Sequence, residues 1–117
     1  MNLEKAIQGH AEWKLKFRAA ITRKERMDAV VIGADDRCAL GQWLHGEGKT
    51  RFGGLQGHAE CLRRHALFHR EAGRVARTIN EGKYAEAEAL LGETTTYTQV
   101  SREVASAIMR LKKEAKL

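Results

Sequence analysis

The chain has 117 residues, no proline and a formal net charge of +6 at pH 7. This length suits one domain with one core. The sequence contains neither an apolar run long enough to cross a bilayer nor a basic-then-apolar leader. We therefore predict a single domain over residues 1–117, soluble and cytoplasmic, with no membrane span.

The basic residues do not form an obvious nucleic-acid-binding surface. They are spread along predicted helix exteriors, with acidic residues between them and few aromatic residues among them. The dense cluster at residues 110–113 lies at a predicted helix C-terminus, where cations interact favourably with the helix dipole. We predict no nucleic-acid partner, and a basic bundle that binds an anionic partner remains an alternative.

The first predicted helix begins after Asn2, a good N-cap residue, and ends near Thr22. Its apolar positions recur at helical spacing, which predicts one buried face that includes His10. The members of this face are Leu3, Ala6, Ile7, His10, Trp13, Phe17, Ala20 and Ile21.

The next segments are less regular. Residues 23–34 combine a polar stretch with a short apolar run, which predicts an extended connector or a short strand. Asp35 or Asp36 could cap a short helix that carries Cys38 and Trp43. Four glycines then predict a loop: Gly46, Gly48, Gly53 and Gly54.

Three helices complete the prediction. A long helix covers residues 55–80, followed by a turn at Gly82, a helix over residues 84–91 and a last helix whose apolar face runs from Tyr97 to Leu111. The predicted fold is all-α, an antiparallel four-helix bundle with an additional short helix that carries the cysteine.

Four histidines fall on inward faces of these helices, and this number is the main functional signal. Burying several imidazoles in a small core is unfavourable unless each nitrogen has a partner, and a metal ion supplies one for several at once. His65 and His69 are four residues apart and lie on one helix face. The other ligands must come from other helices, because His58 and His69 start about 16 Å apart along the helix axis.

The two cysteines occupy different contexts, so a disulfide is a poor interpretation and metal or redox use a better one. Cys38 lies near a helix N-terminus beside Arg37, and both features are expected to lower its thiol pKa. Cys61 lies in the middle of a helix and is expected to be a small core residue. Three histidines and Cys38 would form a ligand set suited to Zn²⁺.

The spacing of these residues resembles a known family. The blocks His10-x-x-Trp13, Cys38-x-Leu40-Gly41-x-Trp43 and His65-x-x-x-His69 are similar to the motif of the chemoreceptor zinc-binding domain, with 24 and 21 residues between them. The resemblance implies that His10, Cys38, His65 and His69 bind Zn²⁺. It also implies a four-helix bundle, often a homodimer, that acts as the sensory module of bacterial chemoreceptors or diguanylate cyclases.

The remaining motif residues have expected packing roles. Trp13 could wall off the site, Gly41 could allow the short helix to approach a neighbour, and Trp43 could pin that helix to the bundle beside Leu40. Ordinary core packing explains both tryptophans equally well. Two histidines fall outside the motif: His45 is expected on a surface loop, and His58 either supports a ligand or is simply a core residue.

Four protein ligands fill a tetrahedral zinc site and leave no open position, so the site is expected to be structural or regulatory. We predict no catalytic residues and no enzymatic activity. Zinc occupancy could switch helix packing, or oxidation of zinc-bound Cys38 could make the protein a thiol redox sensor, including of hypochlorous acid. A stand-alone zinc carrier is a further alternative. The expected partner is a signalling output domain or protein, joined in cis or in trans.

Overall fold

The computed structural model describes all of residues 1–117, which form eight α-helices and no strand. The predicted all-α fold is therefore confirmed. None of the helices is both long and apolar enough to cross a lipid bilayer. The helices, in chain order, are α1 Leu3–Ala11, α2 Trp13–Arg23, α3 Ala29–Gly33, α4 Ala39–His45, α5 Glu47–Phe52, α6 Gln56–Asn80, α7 Tyr84–Leu90 and α8 Thr96–Glu114.

The first predicted helix is present as α1 and α2. The side chain of Asn2 accepts a hydrogen bond from the backbone N–H of Lys5 at 3.0 Å, as expected of an N-cap. Glu12, between the two segments, keeps helical backbone angles (φ −68°, ψ −18°), so α2 continues the course of α1. The helix ends where Lys24 adopts a left-handed conformation.

Helix α6 is the centre of the bundle. It packs along α8, and the two helices run antiparallel, since the N–H of Gly57 donates to Glu114 Oε1 at 2.9 Å and Arg64 pairs with Glu103 further along. The core between the helices is closely filled. Its largest fully buried side chains include Phe17, Leu44, Phe68, Ile79, Leu91, Ile108 and Leu111.

The prediction of a connector or strand is wrong for residues 29–33, which form α3. The Asp28 side chain caps this helix by accepting from the N–H of Val31, and Ile32 is buried. Helix α3 lies directly on α6, because a Cβ on Gly73 would come within 2.8 Å of Gly33 Cα. The packing of two glycines, rather than local propensity, holds this short helix in place.

The predicted glycine-rich loop is also wrong for residues 47–52, which form α5. Gly48 is buried, and a Cβ there would lie 2.8 Å from the Trp43 ring. The ring of Phe52 lies 6.0 Å from the same ring. Helix α5 therefore folds against Trp43, which pins α4 and α5 together.

Candidate metal centre

The structure brings together four side chains that are distant in the sequence. His10 lies near the end of α1, Cys38 is the residue just before α4, and His65 and His69 lie one turn apart on α6. One nitrogen from each histidine and the cysteine sulfur all lie within 4.8 Å of one another. Three separate elements of the bundle thus meet at one small cluster.

The donor atoms are spaced like the corners of a tetrahedron. The Nε2 atoms are 3.0 Å apart for His65 and His69, 3.1 Å for His10 and His65, and 3.3 Å for His10 and His69. Cys38 Sγ lies 3.2, 3.6 and 3.9 Å from the Nε2 atoms of His65, His69 and His10. Tetrahedral zinc with ordinary bond lengths requires about 3.4 Å between nitrogens and about 3.6 Å between nitrogen and sulfur. The residues therefore fit such an ion.

Backbone carbonyls orient two of the imidazoles. The Nδ1–H of His10 donates to the carbonyl oxygen of Ala6 at 2.7 Å, and that of His69 donates to the carbonyl oxygen of Ile32 at 2.8 Å. A carbonyl oxygen only accepts, so both rings carry their proton on Nδ1 and direct an Nε2 lone pair into the cluster. Lone pairs that converge in a buried space are unfavourable unless a cation or a hydrogen-bond donor lies between them.

His65 differs from the other two imidazoles because its Nδ1 is buried with no hydrogen-bond partner. Burial first, and then the nearby His69 and His10, lower its pKa to about 2. Burial also lowers the pKa of His10 and of His69. All three rings are therefore neutral at neutral pH, which is the form that binds metals.

The Cys38 thiol departs from expectation in two ways. The predicted caps Asp35 and Asp36 do not cap α4; Cys38 does so itself, as its sulfur accepts from the N–H of Gly41 at 3.3 Å. Burial raises the Cys38 pKa, although the N–H groups of Gly41 and Leu40 oppose the rise. The expected lowering of this pKa is wrong, because desolvation outweighs the helix N-terminus. A bound metal ion would supply the missing stabilisation of the thiolate.

The other histidines and the second cysteine lie outside the cluster. His58 is buried, and its Nε2 donates to the carbonyl oxygen of Leu44 at 2.9 Å, which ties α6 to α4. His45 is exposed as expected, but it is the last residue of α4 rather than a loop residue. Its Nε2 lies 3.3 Å from Asp35 Oδ2. Cys61 is fully buried, and burial raises its pKa to about 12, as suits a core residue.

The glycine and tryptophans of the motif position the cysteine segment. A Cβ on Gly41 would overlap the carbonyl oxygen of Asp35, so only glycine lets residues 35–38 lie across the start of α4. Trp43 and Leu40 are buried in the core. The ring centres of Trp13 and Phe17 are 5.4 Å apart, and Trp13 borders a groove beside His10. Trp13 therefore forms one wall beside the metal centre and does not cover it fully.

The sequence interpretation missed one part of the site, the carbonyl oxygen of Ile32 that orients His69. This acceptor belongs to α3, which sequence periodicity did not predict. The available signal was a pair of glycines, Gly33 and Gly73, that are now in contact. Because the two glycines are far apart in the sequence, neither helical periodicity nor local spacing indicates that they are in contact.

Comparison with protein-family models gives one result that bears directly on this cluster. The model of the chemoreceptor zinc-binding domain matches residues 10–76, more than half of the chain, and this stretch contains all four clustered side chains. Comparisons with curated proteins and with solved structures return no match. The family match and the cluster agree on a zinc-binding domain. The chain belongs to the chemoreceptor zinc-binding domain family.

Proposed function

We propose that this protein is a regulatory zinc-binding domain whose ligands are His10, Cys38, His65 and His69. The observation that carries the proposal is the tetrahedral spacing of three imidazole nitrogens and one sulfur around a common centre. Zinc favours this mixture of nitrogen and sulfur donors. Four protein ligands leave no position for a reacting water, which supports a regulatory rather than a hydrolytic role.

Zinc in this position would connect elements that otherwise share few contacts. Helix α4 is short and meets α1 and α6 through limited packing. Cys38 would tie it to α6 through His65 and His69, and to α1 through His10. The carbonyl of Ile32 extends the same connection to α3 through His69. Zinc binding would thus set the position of α4 against the bundle.

We propose that the position of α4 is the signal, read by an output domain or protein of a bacterial signalling pathway. The family is named for chemoreceptors, which supports a role in chemotaxis or a related pathway. In a homodimer, a change in the position of α4 could be transmitted to the output domain or protein through the dimer interface. The apparent free energy of structural zinc binding, about 10–16 kcal/mol, far exceeds what a change in helix packing requires.

Elemental analysis of the purified protein tests the ligand assignment. We expect one zinc per chain in the native protein and less zinc retained after dialysis of Cys38→Ala, because the three histidines that remain include no anionic ligand. Cys61→Ala is the matched control, since Cys61 is a buried cysteine outside the cluster, and it should keep one zinc. Equal zinc in the native protein and Cys38→Ala would reject the assignment.

Redox sensing through Cys38 is a second candidate function, and the exposure of the two cysteines favours it. Cys38 is partly exposed, whereas Cys61 is fully buried. Hypochlorous acid would convert the Cys38 thiolate to a sulfenic acid and release chloride, so that sulfur is oxidised and chlorine reduced. The sulfenic acid is a poor zinc ligand, and α4 would lose its link to the histidines.

Mass spectrometry after brief treatment with hypochlorous acid tests the redox candidate. We expect oxygen to be added at Cys38 and not at Cys61, together with loss of zinc. The same treatment of Cys38→Ala should leave Cys61 unmodified. Oxidation of Cys61 ahead of Cys38 would contradict this function without affecting the zinc-binding proposal.

A further inference from the structure

A groove of about 410 Å³ leads from the surface to one edge of the metal centre. It lies between the first helices and the start of α4, and its lining includes both His10 and Cys38. Trp13 and Leu40 contribute apolar walls. Among the four clustered side chains, only these two line the groove, so a molecule that enters it meets the His10–Cys38 edge.

This edge is the most open part of the cluster. His65, His69 and His10 are 0%, 3% and 7% exposed, whereas Cys38 is only partly buried. The distance between Cys38 Sγ and His10 Nε2, 3.9 Å, is the longest of the six between the donor atoms. Cys38 is therefore the ligand that an incoming molecule can reach and replace.

The groove carries positive charge. Lys5 and Lys16 line it, no acidic residue does so, and the Lys16 ammonium lies 4.6 Å from the centre of the Trp13 ring. A Zn²⁺ ion held by three neutral histidines and one thiolate would add a net charge of about +1 at its inner end. The groove therefore attracts small anions.

We infer that this groove admits an anionic zinc acceptor, an amino-carboxylate or a small thiolate, which removes zinc by replacing Cys38. The inference rests on the proposed function. The donor atom of the acceptor takes the place of the Cys38 sulfur on the ion. The sulfur keeps its electron pair and takes a proton from water, so the exchange involves no oxidation. The rate of zinc transfer to such an acceptor is then higher than the rate of spontaneous zinc loss. This rate rises with the concentration of the acceptor.

Filling the groove provides the first test. Gly9 lines the groove, and a Cβ there would meet no atom within 4 Å, so Gly9→Phe is designed to place a ring in the groove while it replaces a glycine inside a helix. Native mass spectrometry follows zinc loss from the loaded protein into excess EDTA, which is anionic. We expect slower zinc loss than from the native protein, at unchanged zinc affinity, because the ring would occupy the space that EDTA must enter. Gln8→Phe, at an exposed position outside the groove, is the control and should lose zinc at the native rate.

Charge reversal provides the second test. The double variant Lys5→Glu, Lys16→Glu should lose zinc to EDTA about tenfold more slowly at low salt, and the difference should shrink as salt screens the charges. Zinc loss to TPEN, a neutral chelator, should be the same as in the native protein. Equal slowing with both chelators would contradict the assignment of an anionic acceptor.

The outcomes separate this inference from the proposed function. If the zinc-loaded native protein and Gly9→Phe lose zinc to EDTA at the same rate, the groove is not the route of zinc loss. The assignment of the zinc site is unaffected by that result. A rate that does not depend on EDTA concentration overturns replacement of Cys38 by the acceptor. A native protein that holds no zinc overturns the proposed function, and the inference with it.

Discussion

Removing zinc is expected to lower the free energy of unfolding by at least about 4 kcal/mol when the reference sample holds free zinc a thousandfold above its dissociation constant. The physical reason is that the three buried imidazoles and the thiol then lose their common partner. His65 is affected most, because neither of its ring nitrogens has a backbone acceptor. Thermal unfolding of the zinc-loaded and chelated protein measures this loss.

Hydrogen exchange locates the same effect. Besides the apolar packing of its buried residues, helix α4 is joined to α6 through Cys38 and through the hydrogen bond from His58 to Leu44. We expect residues 35–45 to lose protection first when zinc is chelated, while the centre of α6 stays protected. Identical protection of residues 35–45 with and without zinc would show that the metal does not control α4.

His65→Ala is the control for both measurements. This variant leaves a cavity and is less stable for that reason alone. Its stability should depend much less on zinc than that of the native protein, and this weaker dependence separates a role in the metal site from a simple packing role. If added zinc stabilised His65→Ala as much as the native protein, His65 would not be a ligand.

Gly41→Ala is expected to weaken zinc binding by about 10–100-fold, although the methyl group that it adds would contact none of the four ligands. The added methyl group would overlap the carbonyl oxygen of Asp35, which is backbone and not the end of a flexible side chain. Residues 35–38 must then move, and Cys38 moves with them. We expect a net loss of about 1–3 kcal/mol in the free energy of unfolding, despite the higher helix propensity of alanine. Competition with a chelator of known affinity measures the change in zinc binding.

Gly9→Ala is the matched control for this substitution. Gly9 also lies in a helix, but a Cβ there meets nothing within 4 Å. We expect this variant to gain about 0.5–1 kcal/mol in the free energy of unfolding through helix propensity alone, with unchanged zinc affinity. A Gly41→Ala protein that behaves like Gly9→Ala would show that residues 35–38 can move without disturbing Cys38.

Much of the fold could be predicted from periodicity. Helix α6 was predicted over residues 55–80 and observed over Gln56–Asn80, because a long helix with one apolar face has a strong and repeated signal. The predictions failed where short elements depend on neighbours. Residues 29–33 and 47–52 are too short to form stable helices alone, and contacts with Gly73 and Trp43 hold them in helical form.

The identities and spacings of residues in the sequence determined the candidate ligands. His65 and His69 share a face because four residues make about one helical turn, and Cys38 and His10 completed a set of donors suited to zinc. Only the tertiary structure decided the electrostatics of the site. The Cys38 pKa is raised and not lowered, because the amount of water excluded around the sulfur depends on elements far away in the sequence. The carbonyl acceptor for His69 and the groove beside Cys38 arise in the same way, from helices that meet only after the chain has folded.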